Sequence, residues 1–159
     1  MSEKKKQQKV PMCVGHTYTI EIHGTGSSGE GVGRYEGFTV FVPYALPNET
    51  VQVKITIVKK NYAVGDIVEV LTPSAERVVP ECKVYGNCGG CQLQHASYAE
   101  QLHLKTESVK SVIERIAKCD PNLVLPCIGP EEPWRYRNKM QMPVGGTIGN
   151  IRMGFYQKG

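Results

Sequence analysis

The chain has no long hydrophobic run. No window of its 159 residues approaches the roughly 20 apolar residues of a membrane-spanning helix. Its basic start, MSEKKKQQKVPMC, is not followed by the apolar core of a secretory signal. These absences argue against a membrane protein and predict a chain that stays in the cytoplasm. Negative charge is also in the minority: 15 Asp and Glu against 19 Lys and Arg give a formal net charge of +4. That balance favours polyanionic partners. Much of the excess sits in Lys4, Lys5, Lys6 and Lys9, where a solvated, disordered tail over residues 1–9 is a simpler reading than a binding arm. A hydrophobic content of 40% is ordinary for a globular protein, so length and composition allow one domain or two small ones.

Cysteine is unevenly spread. A reducing cytosol keeps thiols free, so six cysteines read as metal ligands, catalytic groups or packing residues rather than three disulfides. Cys13, Cys119 and Cys127 are scattered, whereas Cys82, Cys88 and Cys91 cluster in CKVYGNCGGCQLQH. Thiolates at C-x5-C-x2-C can converge on one metal centre, because the C-x2-C pair turns back on itself. Gly89-Gly90 lets that turn bend tightly and direct N–H groups at sulfur. A glycine-rich polar loop also offers cysteines no apolar core to fill. Iron clusters favour four Cys ligands and zinc readily takes Cys3His, with His95 close by at C-x3-H, so spacing alone leaves the metal open.

From Thr17 to Leu71 apolar residues recur with period two or in short runs, as in TYTIEIH, FTVFVPYAL, ETVQVKITIV and NYAVGDIVEVL. Glycine, proline and asparagine punctuate them. This predicts four or five short strands in an OB-like barrel over residues 10–73, since a small barrel closes its own edges. Between the first two strands lies GTGSSGEGVGRYEG. Gly24, Gly26 and Gly29 have the G-x-G-x-x-G spacing of a dinucleotide-binding turn, with Glu49 about twenty residues on. The residues after the third glycine are strand-like instead of helical, so a flexible barrel loop is the better reading. Residues 74–96 then form a cysteine-rich loop. Ser97 and Glu100 have capping-box spacing, and Tyr98, Leu102, Val109, Val112, Ile113 and Ile116 recur at helical spacing. An amphipathic helix is expected over residues 97–120, stopped by Asp120-Pro121. WRYRNKMQMPVGG and IGNIRMGFYQKG look like two strands joined by a glycine-rich turn, the edge of an unfinished β-rich domain over residues 121–159. The expected class is mainly β with an α+β remainder.

Three segments in order carry a family resemblance: GEGVGRYEGFTVFVPYALPNETVQVKI, CKVYGNCGGCQLQH and YRNKMQMPV. Together they resemble the N-terminal part of the RNA uracil-5-methyltransferases, over residues 12 to 159. The resemblance implies that the barrel is a TRAM domain binding structured RNA, ribosomal or transfer. It implies that Cys82, Cys88 and Cys91 are three ligands of a [4Fe-4S] cluster, with the fourth following the strand resembled by GFYQKG and so lying past Gly159. It implies S-adenosylmethionine as methyl donor, bound by a C-terminal domain that also holds the nucleophilic cysteine and the base. No residue of this chain matches those catalytic motifs, so none is assigned, and a chain of this extent is expected to be inactive alone. Cys119 or Cys127 could replace the fourth ligand sterically, but packing is their default.

RNA recognition is then the function expected of these residues. Lys54, Lys59 and Lys60 beside Tyr62, with Arg34 and Tyr35 in the glycine-rich loop, combine cations for phosphates with aromatic faces for bases. Arg135, Arg137 and Lys139 around Trp134 and Tyr136 form a second such patch. For each patch a merely solvated strand face is the competing reading. His16, His23, His95 and His103 read as surface or packing residues. The competing possibility is a self-contained zinc-stapled RNA-binding module or a small redox protein. Neither reading requires an obligate protein partner.

Overall fold

The period-two runs become strands whose alternate side chains fill one core. The computed structural model describes residues 10–157, which fall into two units dividing between Ala75 and Glu76. In the first unit, β1 (Thr17–Thr25), β2 (Gly31–Tyr35), β3 (Phe38–Val42), β4 (Thr50–Val58) and β5 (Tyr62–Thr72) close into a barrel in the order β1-β2-β3-β5-β4. All pairings are antiparallel except β3 with β5. Ile20 and Ile22 of β1, Phe38, Val40 and Val42 of β3, and Val51, Val53 and Ile55 of β4 point inward and are buried together. β-branched residues dominate this set because they suit a pleated, half-buried surface.

The glycine-rich stretch is shorter as a loop than expected. Gly31 and Gly33 occupy inward positions of β2, and Arg34 and Tyr35, expected in the loop, belong to that strand. A Cβ at Gly31 would stand 2.7 Å from the Ala45 methyl, and one at Gly33 would overlap the Glu21 carbonyl. These two glycines let neighbouring backbone close in. Glu36 and Gly37 then join β2 to β3 with φ of +48° and +80°. Two consecutive left-handed residues give the turn whose twist matches that of the strands it joins.

Glu49, which has the dinucleotide-motif spacing, is 1% exposed. Its carboxylate accepts from the Leu46 N–H at 2.9 Å and from the Ser74 N–H at 3.2 Å. It therefore ties the connection between β3 and β4 to the chain leaving β5.

In the second unit, residues 76–78 run antiparallel to 95–97 through an Arg77–Ala96 bridge. Ser97 caps α1 (Tyr98–Val112) by accepting from the Glu100 N–H at 3.2 Å. Its own N–H donates to the Glu76 carbonyl at 2.8 Å, so residue 76 fills the half of the capping box expected of Glu100. The helix continues as one wide turn, Ile113–Ala117, ended by left-handed Lys118. Its burial differs from the expected apolar stripe. Leu104 and Thr106 are the buried residues of α1, whereas Val109, Val112 and Ile116 are 51%, 47% and 77% exposed. The cause is the segment that lies on the helix. Thr106 Oγ1 donates to the Leu102 carbonyl and accepts from the Cys127 N–H, both at 2.9 Å. Gly129 abuts Tyr98 and Leu102, leaving no room for a side chain.

Beyond it, WRYRNKMQM is not a strand. Residues 134–143 are irregular, and Arg135 has φ of +57°, which breaks an extended run. The strands of this region are β6 (Val144–Thr147) and β7 (Asn150–Met153), which pair as an antiparallel hairpin turning at Ile148-Gly149. Among the described residues no helix is long and apolar enough to cross a membrane.

Candidate nucleic-acid interface and cysteine loop

On the barrel exterior the register places Arg34, Thr39 and Tyr62 side by side across β2, β3 and β5, with Val32, Phe41 and Val64 in the next row. Their inward neighbours Gly33, Val40 and Ala63 are buried, so these six side chains face out. Phe41 and Tyr62 meet edge to face, with ring centroids 5.4 Å apart and planes at 81°. Tyr62 is 38% exposed. The turn before it is tied by the Lys59 N–H donating to the Tyr62 carbonyl at 2.8 Å, which holds exposed Lys59 and Lys60 next to the ring.

Lys54 does not join this group. It lies on β4, opposite Thr17 on one side and Asp66 on the other. That outer surface mixes charges, for Gln52 stands opposite Glu69 in the same pairing. Tyr35 turns to the opposite face of β2 from Arg34 and packs against Tyr18 at the edge of the core, with ring centroids 4.8 Å apart. The second patch lies wholly in the irregular segment: Arg135, Arg137 and Lys139 are exposed, and the Arg137 guanidinium stands 5.8 Å from the Tyr136 ring centre. That separation permits a weak cation–π attraction.

The cysteine loop is a succession of tight turns. The Tyr85 N–H donates to the Cys82 carbonyl at 3.0 Å, and the Cys88 N–H donates to the Val84 carbonyl at 2.9 Å. The Gly90 N–H points at Cys88 Sγ, 3.4 Å away. Residues 155–157 run along it: the Gly89 N–H donates to the Tyr156 carbonyl at 3.0 Å, and Cys88 bridges Gln157.

This loop has part of what a metal cluster requires. The glycine turn and the N–H directed at sulfur are present, and all three cysteines are free thiols. The thiols do not close around a point, however: among the described residues no three His, Cys, Asp or Glu side chains converge to hold a metal ion. His95 is 2% exposed, and its Nδ1 lies 2.6 Å from the Tyr85 hydroxyl. That hydroxyl also lies 2.7 Å from the Gln92 carbonyl, to which it can donate. His95 thus braces the loop through Tyr85. Cys119 is exposed, and Cys127 is occupied with the segment on α1.

At the start of α1, burial pushes the Glu100 carboxyl above its usual range; nearby His103 opposes the shift and Glu76 adds to it. Glu107, further along, is held below that range by the ammonium of Lys110, 2.8 Å away.

Residues 11–68 match the family profile of the TRAM domain. The barrel is a TRAM domain. The chain as a whole is homologous to RNA methyltransferases. It is 46% identical over 150 residues to an uncharacterized RNA methyltransferase of Clostridium tetani, covering 94% of this chain and 32% of that protein. To its counterpart in Listeria innocua it is 48% identical over 140 residues, covering 87% and 30%. The chain therefore spans about a third of the length of the curated relatives it matches. A solved tRNA (uracil-54, C5)-methyltransferase of Pyrococcus abyssi, in complex with S-adenosyl-L-homocysteine, is 26% identical, covering 59% of this chain and 21% of that one. Its TM-score of 0.40 is too low to relate the folds.

Within the TRAM domain, Phe41 is the residue that pattern reading passes over. In FTVFV it looks like one more core position, but the register places it facing out beside Tyr62. The two-residue alternation of Phe38, Val40 and Val42 was the available signal.

Proposed function

We propose that this chain is the RNA-recognition part of an S-adenosylmethionine-dependent RNA (uracil-5-)-methyltransferase acting in the cytoplasm on structured ribosomal or transfer RNA. The observation that carries this is the homology to RNA methyltransferases over 94% of the chain, which spans the TRAM domain, the cysteine loop and the segment after α1. The exterior row of Arg34 and Tyr62, flanked by Lys59 and Lys60, supports RNA contact by the barrel. Lys54, Arg135, Arg137 and Lys139 are proposed as phosphate contacts outside that row. Their cations attract the polyanion without reading its sequence.

Cys82, Cys88 and Cys91 are proposed as three ligands of a [4Fe-4S] cluster in the whole protein. GFYQKG supports this ligand set, because the fourth cysteine is expected just after that run and residues 155–157 lie along the cysteine loop. A bound cluster would supply a rigid cross-link of the loop. The thiols of this chain need a further ligand and some closure to hold it. No residue of this chain is assigned to the methyl transfer.

The test uses a full-length protein carrying this chain, purified without oxygen. Stoichiometric iron and acid-labile sulfide, reduced by Cys88→Ser, are expected, with labelled methyl from S-adenosylmethionine appearing at C5 of uracil in RNA. Tight zinc without sulfide would overturn the cluster, and label on another base would overturn the uracil assignment.

A further inference from the structure

We infer that the β2-β3-β5 face of the TRAM domain takes single-stranded RNA, with an unstacked base lying on the ring of Tyr62. The inference rests on the RNA-recognition reading and deepens it by naming the form of RNA and the residue that meets the base.

A base can stack on a protein ring only if the ring is accessible, fixed in orientation and close to cations that hold the adjoining phosphates. Tyr62 meets all three conditions. Its ring is 38% exposed. Its edge-to-face contact with half-buried Phe41 limits its rotamers, so little side-chain freedom is left to lose on binding. Its neighbours along the chain are Lys59 and Lys60, and its neighbour two strands across is Arg34.

Charge distinguishes this face from the outer surface of β4 and β5. The six outward residues are Val32, Arg34, Thr39, Phe41, Tyr62 and Val64, which include one cation and no carboxylate. The outer surface where β4 meets β5 sets Lys54 against Asp66 and carries Glu69. A duplex has its bases stacked on each other and offers this ring sugar, phosphate and base edges but no open base face. Single strands expose the π-faces that an aromatic ring and flat aliphatic neighbours can cover. The two outward rows lie two residues apart along each strand, about 7 Å, which matches the rise between bases of an extended strand more closely than that of a stacked one.

The experiment measures binding of the full chain, by fluorescence anisotropy, to a labelled 12-nucleotide single strand and to an RNA duplex of the same length across a salt series. The single strand is expected to bind more tightly. Tyr62→Ala and Tyr62→Leu are each expected to weaken it about tenfold to a hundredfold without changing the salt slope, while Tyr62→Phe stays within about twofold. Arg34→Gln is expected to reduce the slope by about 0.7. Thermal melts of the Leu and Phe variants separate binding from folding. Wild-type binding that survives both Tyr62→Ala and Tyr62→Leu would overturn the stacking site and leave RNA recognition standing. Preference for the duplex would overturn the single-strand assignment. A wild-type chain that binds neither RNA would overturn both readings.

Discussion

Replacing Glu49 by alanine should unlock one end of the barrel. The carboxylate is 1% exposed and accepts two backbone N–H groups, from Leu46 at 2.9 Å and Ser74 at 3.2 Å. An N–H left without an acceptor in a buried site costs about 1–3 kcal/mol; the Leu46 N–H is buried and the Ser74 N–H only part-buried, so Glu49→Ala should destabilise the barrel by about 1–4 kcal/mol. A small domain has only about 5–15 kcal/mol of stability in total. Glu49→Gln keeps one acceptor oxygen but turns an amide N–H₂ toward one of the donors, so it should lie between alanine and wild type. Urea denaturation followed by far-ultraviolet circular dichroism gives the overall change. Hydrogen exchange at the Leu46 and Ser74 amides localises it, and both amides should lose protection before the strands do. If Glu49→Ala unfolds within about 0.5 kcal/mol of wild type, the range expected of an ordinary surface substitution, the carboxylate is not what holds the exit of β5.

Gly33→Ala should also weaken the barrel, because the new methyl group would overlap the Glu21 carbonyl across β1. Overpacking of this kind costs about 1–3 kcal/mol, and a midpoint in urea equal to wild type would show that β1 and β2 separate freely. The start of α1 should depend on pH. Because burial raises the Glu100 carboxyl above its ordinary value of 4.5, its contribution to stability is complete below that value and is lost as pH rises through the higher folded-state value. Nuclear magnetic resonance titration of Glu100 reads this directly, and a midpoint below 4.5 would refute it.

The barrel was legible because its code is local: alternation in TYTIEIH and in ETVQVKITIV states which face each residue takes. The parts that were not legible depend on partners distant in sequence. Arg34 and Tyr35 read as loop because glycine normally breaks strands, yet Gly31 and Gly33 sit where Ala45 and Glu21 leave no space for a side chain. Helical spacing correctly placed α1 and its Ser97 cap, but it could not anticipate that a polar residue, Thr106, would occupy the seam by bonding the Cys127 backbone. Alternating charge and aromatic residues made WRYRNKMQM look like a strand, although none of the described strands pairs with it and Arg135 turns left-handed. At the cysteine loop, spacing marked Cys82, Cys88 and Cys91 as a group, but among the described residues these thiols do not close around a point. Convergence is a property of three dimensions, which the C-x5-C-x2-C pattern does not contain.

The one parallel pairing of the barrel joins β3 to β5 through Thr39–Tyr62, Val40–Ala63 and Phe41–Val64. This join is where the sheet meets itself, and Tyr62 belongs to one lip while Phe41 belongs to the other. A guest lying over both rings would act as a clasp across the closure. Any molecule that binds the closed form alone stabilises it by an amount that grows with the logarithm of its concentration once that exceeds the dissociation constant, so recognition and the integrity of the barrel become a single equilibrium. Loading the face would slow amide exchange at Val40 and Ala63, two residues buried beneath it, and the barrel would report its own occupancy from the inside.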